Sequence, residues 1–170
     1  YMRSDYIGSQ IGVLFSYTLY LIGLRDFSID RAELRAAVSR WFFMTALTSR
    51  YTGSPESAIE RDLVELKSVN SGSAFLDYLE KGIRAEFTPD FWSISLPNEF
   101  DSSAPRSPSF FAYQAALCIL NAKALFSNLP LRELFNPYVK GPRTSVEKHH
   151  LFPKAFLNES GIKNKRETNK

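Results

Sequence analysis

Helix-starting signals recur along the first 140 residues of this chain in front of apolar runs of helical period, and no stretch there alternates apolar and polar residues as a half-buried strand would. Asp30 with Glu33 three residues later has the form of a capping box, in which each side chain satisfies a free amide at a helix start. Behind it, Leu34, Ala37, Val38, Trp41, Phe42 and Thr45 fall at helical spacing, with Arg31, Arg35, Ser39 and Arg40 on the other face. Gly53 is placed to end that helix, Ser54 to cap the next and Pro55 to enter its first turn. A helix over 55–69 follows, with Ile59, Leu63 and Leu66 inward. After the break Asn70-Ser71-Gly72-Ser73, a shorter helix over 74–83 turns Phe75, Leu76 and Leu79 inward. Ser107-Pro108 opens another helix, apolar nearly all round from Phe110 to Phe126, as a central helix would be. A helical turn is expected over 131–135, ended by Asn136-Pro137.

Two stretches are harder to read. No charged residue occurs from Ile7 to Leu24, long enough to raise the question of a membrane span. Gly8, Ser9, Gln10, Gly12, Ser16, Thr18 and Gly23 dilute it, and no Lys/Arg cluster flanks it. A buried core helix is expected instead, with Ile7, Ile11, Leu14, Leu21 and Ile22 on its inner face. Residues 84–106 mix Phe87, Phe91, Trp92, Ile94 and Leu96 with Pro89, Pro97 and Pro105. They read as a long loop with one helical turn near Asp90. The fold class is therefore mainly α: a helical domain over 1–140, with Gly141-Pro142 marking a boundary to a different segment over 141–170.

Apolar residues make up 44% of the 170, and aromatics 14%, enough for a packed core. The single cysteine, Cys118, has no intramolecular partner, which suits a reducing cytoplasm, and its apolar surroundings suggest an inert buried thiol. No glycine-rich phosphate loop, cysteine-rich metal pattern or internal repeat occurs, so a nucleotide-binding or zinc-finger role has no support. The net charge of +3 is unevenly spread. From Tyr138 to Lys170 eight basic side chains face three acidic ones, a balance of +5, whereas the rest carries 13 against 15. That segment can meet a polyanion, or can be a solvated basic tail.

Within it lies Val146-Glu147-Lys148-His149-His150-Leu151-Phe152-Pro153-Lys154, which holds both histidines of the protein. Imidazole titrates near neutral pH and binds metals. The approach from valine and the Pro-Lys exit suggest a strand that delivers the pair to its end and then turns. Without further context, two partly buried imidazoles with no chemistry are the alternative.

The string His149-His150-Leu151-Phe152-Pro153 resembles the first strand and loop of the HNH (His-Me finger) nucleases. With Lys154-Ala155-Phe156-Leu157 and Asn169-Lys170 it is similar to the HNH region of the GmrSD-type modification-dependent restriction endonucleases. Arg40-Trp41-Phe42-Phe43 and Arg50-Tyr51-Thr52-Gly53-Ser54 resemble the helical region that precedes the nuclease in that family. The resemblance spans residues 40–170, with long stretches of little identity between these pieces.

The resemblance implies an incomplete ββα-metal segment after the helical bundle. His150 would be the general base, His149 the first ligand of a divalent metal (Mg, Mn or similar), and Asn169 the residue that pins the loop. Imidazole in place of a carboxylate suits Mn, Ni or Zn better than Mg. Lys148 and Lys154 flank the pair as candidate contacts to the DNA backbone. The partners implied are DNA and an N-terminal ParB-like nucleotide-hydrolysing domain of the same protein. The sequence starts at a tyrosine and stops inside the motif, so a piece of a longer protein, inactive alone, is expected. A helical positioning module with a decayed nuclease motif is the rival reading, and an RNA-directed toxin nuclease a third. Arg50 and Tyr51 are open to two roles, touching a substrate backbone or bracing the turn between helices.

Overall fold

The computed structural model describes residues 7–100, 107–136 and 154–162. They are mainly α-helical, and among them there is no strand, only an isolated antiparallel bridge between Lys123 and Pro130. The chain divides into two compact units, Ile7–Ser95 and a second beginning at Leu96. The boundary expected at 141 and the strand expected at the histidines fall outside the described residues.

The first unit holds α1 (Gln10–Arg25), α2 (Arg31–Leu47), α3 (Pro55–Leu66) and α4 (Gly72–Glu86). Ser9, Asp30 and Ser71 cap α1, α2 and α4 by accepting backbone amides of the first turn. Asp30 accepts from Ala32 and Glu33 at 2.9 and 3.1 Å. The carboxylate of Glu33 makes no return bond among the described residues, so the box is half formed. The central helix is α2, which buries Leu34, Val38, Trp41, Met44 and Thr45 and packs on both α1 and α4. Leu19, Leu34, Trp41, Met44, Phe75 and Leu79 are fully enclosed, each contributing about 1.5–3 kcal/mol or more by leaving water.

Two helices bury only part of the face expected: Ile11, Ile22 and Ile59 pack against the core and Leu66 is buried, but other expected residues are not. In α1 the inner residues are Gly12, Phe15, Ser16, Leu19 and Gly23, while Leu14 and Leu21 are exposed. The small residues that seemed to dilute the stretch are its packing surface. At Gly23 a Cβ would run into the side chain of Leu34, which would have to shift to admit it. In α3 the buried stripe is Ala58, Asp62 and Leu66, with Ile59 half-buried and Leu63 exposed. The stripe carries a carboxylate because a guanidinium waits for it.

The end of α2 also departs from expectation. Ser49, at φ 55°, and not Gly53, closes the helix, and the Arg50 amide reaches back to the Thr45 carbonyl at 3.1 Å. This is a Schellman ending with serine in the left-handed position. Ser54 and Pro55 start α3 as expected, although the Ser54 side chain makes no capping bond.

Within the expected loop over 84–106, residues 89–100 are helical. Phe91–Ser95 form a π turn, and the second unit opens with α5 (Leu96–Phe100). Thr88 accepts the Phe91 amide at 3.1 Å, so Thr88-Pro89 is another cap with a first-turn proline rather than a break. Pro97 is the second residue of α5, in the first turn, where a missing N–H costs no intrahelical bond.

The expected central helix over 110–126 is shorter and more exposed. It is α6 (Pro108–Ile119), capped by Ser107, and buries only Ser109. Ile119 and Leu120 are 84% and 76% exposed. Asn121 stops it in the left-handed conformation at φ 54°, with Ala122 donating back to the Leu117 carbonyl at 2.9 Å. The chain then folds through the Lys123–Pro130 bridge into α7 (Leu131–Leu134). A last helix, α8 (Lys154–Glu159), ends at Gly161, φ 85°, with the Ile162 amide on the Leu157 carbonyl at 2.9 Å.

Candidate functional site

The segment Arg50-Tyr51 leaves α2 directly into the core of the first unit. The Schellman ending fixes its direction, and α3 offers Asp62 to receive it. Arg50 grips this carboxylate with two nitrogens, Nη2 to Oδ1 at 2.6 Å and Nε to Oδ2 at 3.3 Å. Its remaining terminal nitrogen, Nη1, donates to Glu86 on α4 at 2.8 Å. The Tyr51 hydroxyl donates to Asp62 Oδ2 at 2.6 Å, and the Tyr78 hydroxyl to the Asp62 carbonyl at 3.3 Å. Ser9, while capping α1, also donates to the Tyr51 carbonyl at 3.1 Å. All four helices of the unit therefore meet in this cluster.

Its surroundings are aromatic. The Arg50 guanidinium lies 5.6 Å from the centre of the Trp41 ring, which packs on Tyr78 at 5.7 Å. Phe15 meets Tyr51 edge-on at 5.4 Å. Beneath Trp41, α4 presents Gly82, where any Cβ would strike the indole.

The electrostatics point to bracing. Hydrogen bonding to Asp62 holds Arg50 well above its ordinary range. Burial, then the bond to Asp62, pushes the Tyr51 hydroxyl far above its ordinary value of 10.0, so it stays protonated. Burial, then the charges of Asp62 and Glu65, does the same for Tyr78. One guanidinium faces two carboxylates, leaving a formal balance of −1 that repels phosphate. Contact with a substrate backbone does not fit this geometry; bracing the inter-helix turn does. Arg40, from the other segment resembling the nuclease family, pairs with Glu80 at 2.9 Å, and its neighbour Trp41 is core.

Lys148, His149, His150 and Asn169 lie outside the described residues. Lys154 is the first residue of α8, directly after Pro153 in the chain. Among the described residues no group of three or more His, Cys, Asp or Glu is placed to hold a metal ion, and no helix is long and apolar enough to cross a membrane. Cys118 is a half-buried free thiol on α6. Asp62 and Glu86 escaped the sequence reading because both sit among surface-type charges; the available signal was Asp62 at helical spacing between Ala58 and Leu66.

No protein-family model matches the chain, and no solved structure matches it. It is similar to the uncharacterized protein MJ0686 of Methanocaldococcus jannaschii, with 24% identity over 131 residues. The match covers 75% of this chain and 19% of that protein, so the chain spans about a fifth of the length of the curated relative it matches.

Proposed function

We propose that the chain belongs to a metal-dependent HNH endonuclease that hydrolyses phosphodiester bonds of DNA, a restriction activity against foreign or modified DNA. The observation that carries this reading is the string His149-His150-Leu151-Phe152-Pro153, set in a segment of net charge +5. His150 takes the proton of the attacking water, and Asn169 pins the loop that orients it. His149 is the residue that would hold a divalent metal, and its imidazole is a fitting donor for Mn, Ni or Zn. Such a metal supplies positive charge where the leaving oxygen becomes anionic. Lys148 and Lys154 meet backbone phosphates. In the whole protein a ParB-like nucleotide-hydrolysing domain accompanies this part.

A second reading, a helical positioning module that cuts nothing, is favoured by the polar cluster of the first unit, whose arginine is already bound to two carboxylates.

The test uses the protein extended beyond Lys170, supplied with Mn or Mg and duplex DNA. His150→Ala should reduce cleavage by on the order of a hundredfold to ten-thousandfold while DNA binding stays near the parent's. His149→Ala should raise the metal concentration needed for activity. Cleavage by His150→Ala at the parent's rate would replace the nuclease reading with the positioning one.

A further inference from the structure

The largest enclosed apolar side chains of the first unit, Leu19, Leu34, Trp41, Met44, Phe75 and Leu79, come from α1, α2 and α4. None of them comes from α3. Among the described residues that helix adds only Ala58 and Leu66 to the buried apolar core, with Ile59 packed against it in part. Because α2 packs directly on both α1 and α4, these three helices make a core that does not pass through α3. The strongest hold on α3 is polar. Its one enclosed charge, Asp62, takes two bonds from the Arg50 guanidinium and one from the Tyr51 hydroxyl, and the Tyr78 hydroxyl reaches its carbonyl.

We infer that α3 is a strap over a three-helix core, closed by the Asp62 latch and able to open as a unit while α1, α2 and α4 stay folded. The two kinds of contact respond differently to opening. Separating α1, α2 and α4 would put large apolar side chains into water with nothing gained in return. A buried carboxylate that leaves the core recovers its hydration, which offsets much of the ion pair it gives up. Arg50 is not stranded by that departure, because Glu86 on α4 stays bound to it at 2.8 Å. Tyr51 also stays behind, held by the Phe15 ring at 5.4 Å and by the Ser9 hydroxyl on its carbonyl. The hinge then falls at residues 52–54, where Gly53 has φ 79° and open space around it. At the other end, residues 67–71 connect α3 to α4 without helix, so neither α2 nor α4 need unwind. The open form presents two guanidinium nitrogens and the hydroxyls of Tyr51 and Tyr78, which the closed form commits to Asp62. The inference does not depend on His150: the strap lies wholly within the first unit.

Native-state hydrogen exchange of the full chain tests this, read helix by helix by mass spectrometry over a range of low urea concentrations. In the parent, amides of α3 should be protected about a hundredfold less than those of α2. Their exchange should also depend more weakly on urea, since a partial opening exposes less surface than global unfolding. In Asp62→Ala, α3 should exchange nearly as fast as an unfolded chain, while α1, α2 and α4 keep part of their protection. Arg61→Gln, an exposed change next to the latch in sequence, should leave the exchange of α3 within about twofold of the parent's. The inference is overturned if α3 and α2 of the parent share one protection and one urea dependence. It is overturned equally if Asp62→Ala leaves α3 protected, or if that change strips protection from all four helices together.

Discussion

Asp62 Oδ1 lies 2.6 Å from Nη2 of Arg50, with the carboxylate wholly enclosed and the arginine side chain 22% exposed. A buried carboxylate is tolerable only with its cation and hydrogen-bond donors in place. Removing one partner should therefore hurt more than removing both. Asp62→Ala should cost about 3–5 kcal/mol, because it leaves the guanidinium poorly paired near the core. The double change Arg50→Met with Asp62→Leu should cost less than Asp62→Ala alone. Urea denaturation of the three proteins decides it; a loss below about 1 kcal/mol for Asp62→Ala would show that the Arg50–Asp62 pair does not brace the helices.

Tyr51 gives the cluster a pH signature. Its folded-state pKa is raised above the ordinary 10.0, so the unfolded chain loses this proton first. Stability from the Tyr51–Asp62 bond is fully present below pH 10 and declines as pH rises beyond it, by up to about 1.4 kcal/mol per pH unit for each such tyrosine. Tyr78 shifts in the same direction and adds to the slope. Tyr51→Phe should flatten the alkaline fall without removing it, as followed by denaturation on either side of pH 10. An unchanged slope would mean that the hydroxyl titrates as though exposed.

Gly82 supplies a test whose sign is informative. Helix propensity alone makes Gly→Ala within a helix stabilising by about 1 kcal/mol. Here the added methyl would strike Trp41, and crowding a packed core costs about 1–3 kcal/mol. Gly82→Ala should thus lower the thermal midpoint. A higher midpoint would show that Trp41 has room to move.

The helix starts were legible because capping is a local matter: Asp30 and Ser107 announce themselves within three residues of the amides they accept. The buried faces of α1 and α3 were not, because they are defined by partners distant in sequence. Gly23 faces inward because Leu34 lies where a side chain would start, and Asp62 because Arg50 arrives from another helix. Nor does a rule that reads proline as a break foresee Pro97 in the first turn of a helix. Asn121 shortened α6 by a left-handed step that an apolar count cannot register. Of the candidate site, the histidine string was legible as a motif, whereas the carboxylates that hold Arg50 were hidden, because Asp62 and Glu86 sit among surface-type charges in the sequence.

The left-handed step at Ser49 has a consequence for chain length. Connections between helices ordinarily accept insertions with little effect, since little in them is fixed to the rest of the protein. Between Ser49 and Pro55 the chain instead acts as a ruler. Its first residues after the step are Arg50 and Tyr51, and the carboxylate they must reach lies two turns into the following helix. One residue more between Ser49 and Arg50 would carry both side chains past Asp62. This connection is held to length as strictly as a helix interior, and a stretch that looks like a surface turn should vary in sequence far more readily than in size.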